Sequence, residues 1–414
     1  MSSKHRPGPS TSVRRRTLVG VLLAAAAVPA VAACQDGSGV AAGTGQGASP
    51  AASPSATPPT VTVTPANAAV DVRPDAPVTV TVADGKLTDV TVTAPDGTPL
   101  TGALDAAGTT WTSQGALALG TAYTVHAVAA GASGTPTTHD STLTTLTPAA
   151  TAFPAVAPLS GREVGVGMPV IVTFDSPVAD DRRRLVEENL HVTVTPTAVP
   201  GSWSWQSSTK VEYRPEQYWP AHSQVHVDID LGTVEVAPGV WGKTRDIDFT
   251  IGSAMVSTVD IAAHTLTVTR DGQVVKTIPV TLGQSGSGGK FVTRSGTKVI
   301  MSLEASRQMN SETTGIGQDD PNYYDVNVKY ALRVTNSGEF LHAAPWSVSS
   351  QGRANVSHGC TGMSTENAKW MFDNSKVGDV VVYTGSNRGI EPGNGFTVWN
   401  ETYQQWQQGS ALHA

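Results

Sequence analysis

One block in the C-terminal third of the chain gathers residue types that support nucleophilic chemistry. It runs from Phe340 to Gly362 and contains two histidines, His342 and His358, and one cysteine, Cys360. The thiolate is the reactive form of cysteine, and a free thiol with a pKa of about 8.5 is mostly protonated at neutral pH. A neighbouring imidazole can accept that proton. Cys360 is therefore a candidate nucleophile, and the alternative is a buried, inert cysteine.

Either histidine has the right chemistry for the base, and spacing does not choose between them. His358 lies two residues before Cys360 and would share a face with it in an extended segment. His342 is distant in sequence, as a base on an adjacent strand would be. Gly359 directly precedes the cysteine, and a glycine permits the tight backbone in which successive amides point at one spot. An oxyanion hole requires such an arrangement.

Strands must position this block, because short runs of alternating β-branched residues dominate the chain. The segments 60–64 and 170–174 are two examples, and such period-two runs are typical of strands. Ser364 is a candidate N-cap for a short helix that ends at Asn374. We therefore predict a mainly β protein: two Ig-like β-sandwich domains followed by a mostly β domain with a short helix.

Composition and turn signals divide the chain into segments. Aromatic residues spaced by four and three in the last segment predict a short helix there, which we expect to pack on the preceding domain. The predicted segments are a lipoprotein-type signal peptide (1–33), a flexible linker (34–59), Ig-like domains (60–148 and 149–252), the domain that carries the block (253–385) and a C-terminal extension (386–414).

The N-terminus has the layout of an export signal. Residues 1–33 hold five basic and no acidic residues, and an apolar run ends at Cys34. Val31 to Cys34 resembles the lipobox of bacterial lipoproteins, in which the cysteine thiol takes a diacylglycerol. The resemblance implies lipidation at Cys34 and a place on the outer face of the cytoplasmic membrane, facing the cell wall. A plain secretory signal with an incidental cysteine is the alternative.

Charge and cysteine content exclude several classes of protein. The 414 residues include 27 basic and 34 acidic side chains, and loss of the five basic residues in 1–33 changes the net charge from −7 to −12. A nucleic-acid binder would need the opposite sign. Two cysteines exclude a disulfide-rich scaffold and a multi-cysteine zinc module.

The block also carries a family resemblance. It reads His-Ala-Ala-Pro-Trp from His342 to Trp346 and Ser-His-Gly-Cys from Ser357 to Cys360. This pattern resembles the signature of the L,D-transpeptidases, which have a YkuD-type catalytic domain. The similarity covers 253–385, and the order of lipobox, linker, two Ig-like domains and catalytic domain resembles the larger envelope-anchored members.

The resemblance implies an acyltransferase that needs neither metal nor cofactor. Its partners would be peptidoglycan stem peptides, a donor tetrapeptide and an acceptor stem. The product would be a 3→3 cross-link made through a cysteine acyl-enzyme, with release of the terminal D-alanine. The resemblance also implies acylation by carbapenem β-lactams.

The resemblance assigns roles to individual residues. Cys360 would be the nucleophile and His342 the general base and later acid. His358 and Ser357 would support the site, and the amides of Gly359 and Cys360 would contribute to the oxyanion hole. The implied substrate contacts are Tyr324, Ser337, Gly338, Gly362, Met309 and Trp346. For the two aromatic residues among them, Tyr324 and Trp346, the alternative is packing in the core.

Gly362 departs from the family pattern, which usually has Asn or Arg at this position. The missing side chain removes a polar contact with the substrate. Either a backbone amide or water replaces that contact, or the glycine widens the pocket.

Two other functions stay open from the sequence: an L,D-carboxypeptidase or other cysteine hydrolase acting on the same stems, and a non-enzymatic wall-binding lipoprotein.

Overall fold

The computed structural model describes residues 57–132 and 134–413. The predicted signal peptide, Cys34 and the linker as far as residue 56 lie outside the described residues. Within the described ranges, no helix is long and apolar enough to cross a membrane.

The first sandwich is built from eight strands in two four-stranded sheets. Alternation explains its core, because Tyr123, Val125, Ala127 and Ala129 of one strand all point inward and are buried. One sheet has the order β1 (Thr60–Thr64), β3 (Thr79–Ala83), β6 (Thr110–Ser113), β5 (Gly102–Leu104). The other has the order β2 (Ala69–Val72), β8 (Pro136–Thr145), β7 (Ala122–Gly131), β4 (Gly85–Thr93).

The second sandwich repeats the plan and adds a small third sheet. One sheet runs β10 (Pro154–Ala157), β12 (Val170–Phe174), β15 (Lys210–Pro215), β14 (Gly201–Ser207). The facing sheet runs β11 (Glu163–Val164), β19 (Arg245–Ile251), β16 (Gln224–Ile229), β13 (Leu190–Thr195). The third sheet runs β17 (Glu235–Ala237), β18 (Val240–Gly242), β9 (Ala150–Ala152), and the short helix is α1 (Arg183–Glu187).

Two sheets and one helix form the domain that carries the His–Cys block. The five-stranded sheet runs β22 (Gln273–Pro279), β21 (Thr265–Arg270), β20 (Met255–Asp260), β28 (Val380–Thr384), β23 (Gly296–Val299). The four-stranded sheet runs β24 (Ser302–Asn310), β25 (Asp325–Arg333), β26 (Phe340–Ala343), β27 (Thr361–Met363). The expected helix is present as α2 (Thr365–Asn374), and the Ser364 side chain accepts the Asn367 N–H at its first turn. The mainly β fold class is confirmed.

The second sandwich joins the third domain through close backbone contact. The Gly165 N–H donates to the Val377 carbonyl at 2.8 Å. A Cβ at Gly165 would lie 2.2 Å from the Asp379 nitrogen, so only glycine permits this approach. The core of the second sandwich extends to Val380 of β28, and the two domains therefore share apolar packing.

The C-terminal extension contacts two domains. Asn400 bonds the third domain, because its Oδ1 accepts the Thr297 N–H at 2.8 Å and its Nδ2 donates to the Thr297 carbonyl at 2.7 Å. The helix α3 (Tyr403–Gln407) instead packs on the second sandwich, where Trp406 Nε1 donates to the Ser202 carbonyl at 2.9 Å. The guanidinium of Arg214 lies 5.0–5.5 Å from the ring centres of Trp399, Tyr403 and Trp406. The prediction that all of 386–414 packs on the catalytic domain is therefore wrong for its last residues.

Candidate active site

Two parallel strands bring the candidate nucleophile and base together. In the β26–β27 pair, His342 lies opposite Gly362, and Cys360 directly precedes β27. The parallel register thus converts a separation of eighteen residues into adjacency at one end of the sheet. Both side chains line a cavity of about 510 Å³.

The first cavity is mostly apolar. Two of its hydroxyl groups are engaged within the protein: Thr281 Oγ1 donates to the Ala354 carbonyl, and Ser347 Oγ donates to the Ala344 carbonyl. Trp346 is 59% exposed at the cavity mouth, where aromatic and aliphatic side chains surround the polar groups. The residues predicted to wall the pocket, Met309 and Trp346, both line this cavity.

His342 is held in one tautomer by a backbone contact. Its Nδ1 lies 2.9 Å from the Ala343 carbonyl oxygen, and since a carbonyl only accepts, Nδ1 donates. Nε2 of the neutral ring then carries the lone pair that a base needs. Burial lowers the pKa of His342, so the ring is neutral at pH 7.

The Cys360 thiol is partly buried and rests in its protonated form. Its Sγ donates to the Gly338 carbonyl at 3.6 Å. Burial raises the pKa of Cys360 to about 12, and the nearby Glu339 carboxylate acts in the same direction. The resting site therefore pairs a neutral thiol with a neutral imidazole, and proton transfer to His342 must accompany attack on a substrate.

Ser357 organises the turn that presents the cysteine. Its Oγ donates to the Cys360 carbonyl at 2.6 Å and accepts the Gly359 N–H at 3.1 Å. Gly359 has a φ of +129°, a conformation that favours glycine. Because the Gly359 amide already bonds Ser357, the expectation that it contributes to an oxyanion hole is wrong for this arrangement. The Cys360 amide keeps that predicted role.

His358 is sandwiched between aromatic rings rather than paired with a carboxylate. Its ring lies 4.5 Å from the Phe291 ring and 5.0 Å from the Tyr324 ring, measured between centres. Burial lowers the pKa of His358, and Asp320 acts against this. Among the described residues, its buried Nε2 has no hydrogen-bond partner. These contacts agree with a supporting position rather than that of an oriented base.

A second cavity, of about 390 Å³, opens on the other side of the thiol. Tyr324, His358 and Cys360 line both cavities, and Ser337 and Gly338 line only the second. Its wall is polar and mostly cationic, with charged side chains from Lys290, Arg294, Glu339 and Arg388. The structure therefore brings the predicted substrate contacts to the thiol from two sides of contrasting polarity.

Gly362 does not open the pocket. It exchanges two backbone hydrogen bonds with Thr281, so its amide is not free to replace the missing polar contact. A Cβ at this position would lie 3.0 Å from Ala344 Cβ and 3.0 Å from Thr281 Cγ2. The expectation of a wider pocket is therefore wrong, because neighbouring hydrocarbon fills the side-chain position. Replacement of the polar contact by another backbone amide or by water stays a prediction.

Sequence reasoning missed the charged groups behind the thiol. Lys298 and Glu339 are buried and form an ion pair there. A lysine directly before the apolar run 299–301 was a usable signal, because an unpaired buried ammonium is strongly unfavourable and implies a partner. In the described part of the chain, no group of three or more His, Cys, Asp or Glu residues could hold a metal ion.

Two Ig-like sandwiches followed by a domain with a thiol and an imidazole in one cavity define a modular protein with the groups of a thiol enzyme. Residues 254–382 match the family described as L,D-transpeptidase catalytic domain, and residues 69–235 match the bacterial Ig domain. The chain is 35% identical over 403 residues to L,D-transpeptidase 2 of Mycobacterium tuberculosis (strain CDC 1551 / Oshkosh), covering 97% of each protein. This chain belongs to the L,D-transpeptidase family.

Other relatives match a smaller share of the chain. L,D-transpeptidase 1 of Mycobacterium tuberculosis (strain ATCC 25618 / H37Rv) is 41% identical over 231 residues, which is 56% of this chain and 84% of that protein. The solved structure of the LD transpeptidase LdtMt1 in complex with imipenem is 38% identical. It covers 56% of this chain and 99% of its own, with a TM-score of 0.49.

Proposed function

We propose that this L,D-transpeptidase forms 3→3 cross-links in peptidoglycan through an acyl-enzyme on Cys360. The observation that carries the proposal is the shared cavity of Cys360 and His342, in which the Ala343 carbonyl leaves His342 Nε2 as the basic atom. Family membership supplies the reaction class. No metal or cofactor takes part in the proposed steps.

Acylation begins with proton transfer from the thiol. His342 Nε2 accepts the Cys360 proton while Sγ attacks the carbonyl carbon of the third stem residue. The Cys360 amide is the proposed donor to the oxyanion that forms. When the C–N bond to the terminal D-alanine breaks, the His342 imidazolium gives its proton to the leaving amine, and a thioester remains.

Deacylation reverses the proton path with a different nucleophile. The side-chain amine of a second stem attacks the thioester, His342 takes its proton, and Cys360 leaves and regains a proton. The hydrocarbon lining of the first cavity supports an amine carried on an aliphatic arm as the acceptor. Water in the same role would give the carboxypeptidase reaction.

Product masses test this proposal. Residues 34–414 and the matched Cys360→Ala chain are incubated with a disaccharide-tetrapeptide. We expect a cross-linked dimer, smaller than two donors by one D-alanine, from the unchanged chain and no product from the variant. A trimmed tripeptide alone would indicate the hydrolase, and exchange catalysed by Cys360→Ala would refute the cysteine mechanism.

Carbapenem acylation follows from the same chemistry. A β-lactam carbonyl is an acyl donor, and the thiol that attacks a stem carbonyl can attack it as well. We expect the intact mass of the chain to rise by the mass of one carbapenem, with Cys360→Ala unmodified. A label on the Cys360→Ala chain would place acylation at another residue.

We also propose that the protein is exported and anchored by a lipid at Cys34. The apolar run that ends in Val-Ala-Ala-Cys at Cys34, and the Gly-, Ala- and Ser-rich segment after it, support a lipid-anchored protein on the outer face of the cytoplasmic membrane. Labelling of growing cells with a fatty acid tests this. We expect label on the protein and none on Cys34→Ala, and unlabelled protein with an intact Cys34 would contradict it.

A further inference from the structure

A buried cation lies behind the proposed nucleophile. The side chain of Lys298, on β23, is 0% exposed, and its Nζ donates to Glu339 Oε2 at 2.5 Å. The same Nζ lies 3.8 Å from the centre of the Tyr383 ring. Tyr383 in turn bonds Thr361, since its hydroxyl oxygen lies 2.8 Å from Thr361 Oγ1.

Glu339 is shared between two cations. Its Oε1 accepts Arg294 Nη1 at 2.9 Å and the Arg294 backbone N–H at 3.4 Å, while Oε2 faces Lys298. Arg294 is also bonded to the half-exposed Glu391 through Nε at 2.6 Å. Lys298 is therefore the innermost positive charge, and loss of it would leave Glu339 with a remaining partner.

This cluster packs against both backbone segments that touch the thiol. Glu339 follows Gly338, whose carbonyl accepts the Cys360 thiol, and precedes Phe340, where β26 begins. On the other side, a Cβ at Gly359 would lie 3.6 Å from Glu339 Oε1. The Glu339 carboxylate thus lies beside Gly359, which precedes Cys360, and follows directly after Gly338, whose carbonyl accepts the thiol.

A buried ion pair is weak evidence for stability, because desolvation of two charges offsets their attraction. Its place beneath a reactive sulfur points instead to the reaction. We propose that Lys298 and Glu339 form a positioning pair for the nucleophile. Lys298 stabilises the negative charge that develops on Cys360 Sγ, and Glu339 fixes the ammonium and the Gly338 and Gly359 backbone while opposing that charge. The inference rests on the proposed role of Cys360.

The two members of the pair have opposite effects on the pKa of Cys360. Among the surrounding groups, Lys298 lowers the pKa of Cys360 and Glu339 raises it, against the larger rise from burial. Titratable and charged groups face Cys360 from each element packed on it. The nearer groups are His342 (β26), His358, Tyr324, Glu339, Lys298 (β23) and Tyr383 (β28). Arg294 and Asp320 lie behind them.

Alkylation of Cys360 measures this balance directly. The full chain is treated with iodoacetamide from pH 6 to pH 11, and the Cys360 peptide is quantified by mass spectrometry. Burial lowers the pKa of Lys298, so the comparison is made at pH 8 rather than at higher pH. We expect Lys298→Met to react about tenfold more slowly there, which corresponds to roughly one pKa unit, and Glu339→Gln to react faster by a similar factor. Lys369→Met, on the exposed face of α2, serves as the matched control and should react like the unchanged chain.

The opposite changes in alkylation rate expected for the two variants distinguish this role from a purely structural one. If the pair only maintained the fold, either variant would open the site, and an exposed thiol with a pKa of about 8.5 would react faster in both. Faster reaction in both variants, slower reaction in both, or no change in Lys298→Met would overturn the proposal. Turnover by Cys360→Ala would instead refute the proposed function, because alkylation does not depend on substrate.

Discussion

Gly362 and Thr281 exchange both of their backbone hydrogen bonds, with N–O distances of 2.8 Å and 2.9 Å. The exchange fixes the Gly362 backbone beside His342 and turns the Thr281 methyl toward the Gly362 Cα. The family position usually held by a polar side chain is therefore occupied by hydrocarbon from Thr281 and Ala344. Activity in this chain has to work without that side chain.

Gly362→Asn should not restore a family-like site. The new Cβ would lie 3.0 Å from Ala344 Cβ and from Thr281 Cγ2, and such overpacking typically costs about 1–3 kcal/mol. We expect a lower free energy of unfolding in urea and reduced acylation.

Thr281→Ser removes the clashing methyl and keeps the hydroxyl that bonds Ala354. The pair Thr281→Ser with Gly362→Ala should thus recover stability lost by Gly362→Ala alone, and no recovery would contradict this packing.

The protonation of His342 determines how the acylation rate falls at low pH. Because burial lowers its pKa, the basic ring persists below the usual value of 6.5, and the thiol stays protonated to high pH. The rate of acylation by a carbapenem should therefore rise with pH through a midpoint below 6.5 and then level off. Stopped-flow measurement of single-turnover acylation gives this midpoint, and a midpoint above 7 would argue against a buried neutral His342.

Replacing that ring should slow acylation without unfolding the chain. We expect His342→Gln to lower the acylation rate constant by about 10²–10⁴-fold, the usual contribution of a general base. His226→Gln is the matched control, since His226 is exposed on the second sandwich and pairs with Asp248. An equal loss in both variants would show that the effect does not arise at the site.

Asp379 makes stability depend on pH. It is buried, its Oδ2 accepts the Lys376 N–H at 2.7 Å, and within the described chain its Oδ1 has no hydrogen-bond partner. Burial raises its pKa to about 7 from the ordinary value of 3.8. The folded state therefore holds this proton more tightly than the unfolded state, and the stability gained from it is lost as pH rises toward 7.

Asp379→Asn should remove this dependence. Relative to the unchanged chain, we expect the variant to gain unfolding free energy between pH 5 and pH 8.5. The gain is at most about 3 kcal/mol, because about two pH units separate pH 5 from the folded-state pKa of about 7 and each is equivalent to about 1.4 kcal/mol. Thermal unfolding at both pH values measures the difference. Asp89→Asn, at an exposed position of the first sandwich, is the control. A gain equal at both pH values would show that charge burial is not the cause.

Trp406 should be essential for the attachment of the C-terminal helix. It is 2% exposed, it donates to Ser202, and it faces Arg214. Large-to-small replacement of a buried tryptophan usually costs about 3–5 kcal/mol. We expect Trp406→Ala to lower the unfolding temperature and to speed proteolysis after residue 400. Gln404→Ala, on the exposed side of the same helix, should do neither.

The sequence predicts local features of this molecule better than long-range ones. The cap at Ser364 and the helix to Asn374 follow from residue types a few positions apart, and so does a short helix around Trp406. The partner of Trp406 does not, because spacing shows that one face is buried but not which domain covers it. Lys298 and Glu339 are likewise separated by 41 residues and meet only through sheet packing.

The contact between Asn400 and Thr297 has a consequence for how copies of this protein avoid one another. β23 is the last strand of its sheet, and the open side of such a strand is a template for pairing with a neighbouring molecule. The Asn400 amide bonds the Thr297 N–H and carbonyl as a neighbouring strand would. The C-terminal extension therefore blocks association at this edge of the sheet, and a chain cut short before residue 400 would be more prone to aggregate through β23 even with its active site complete.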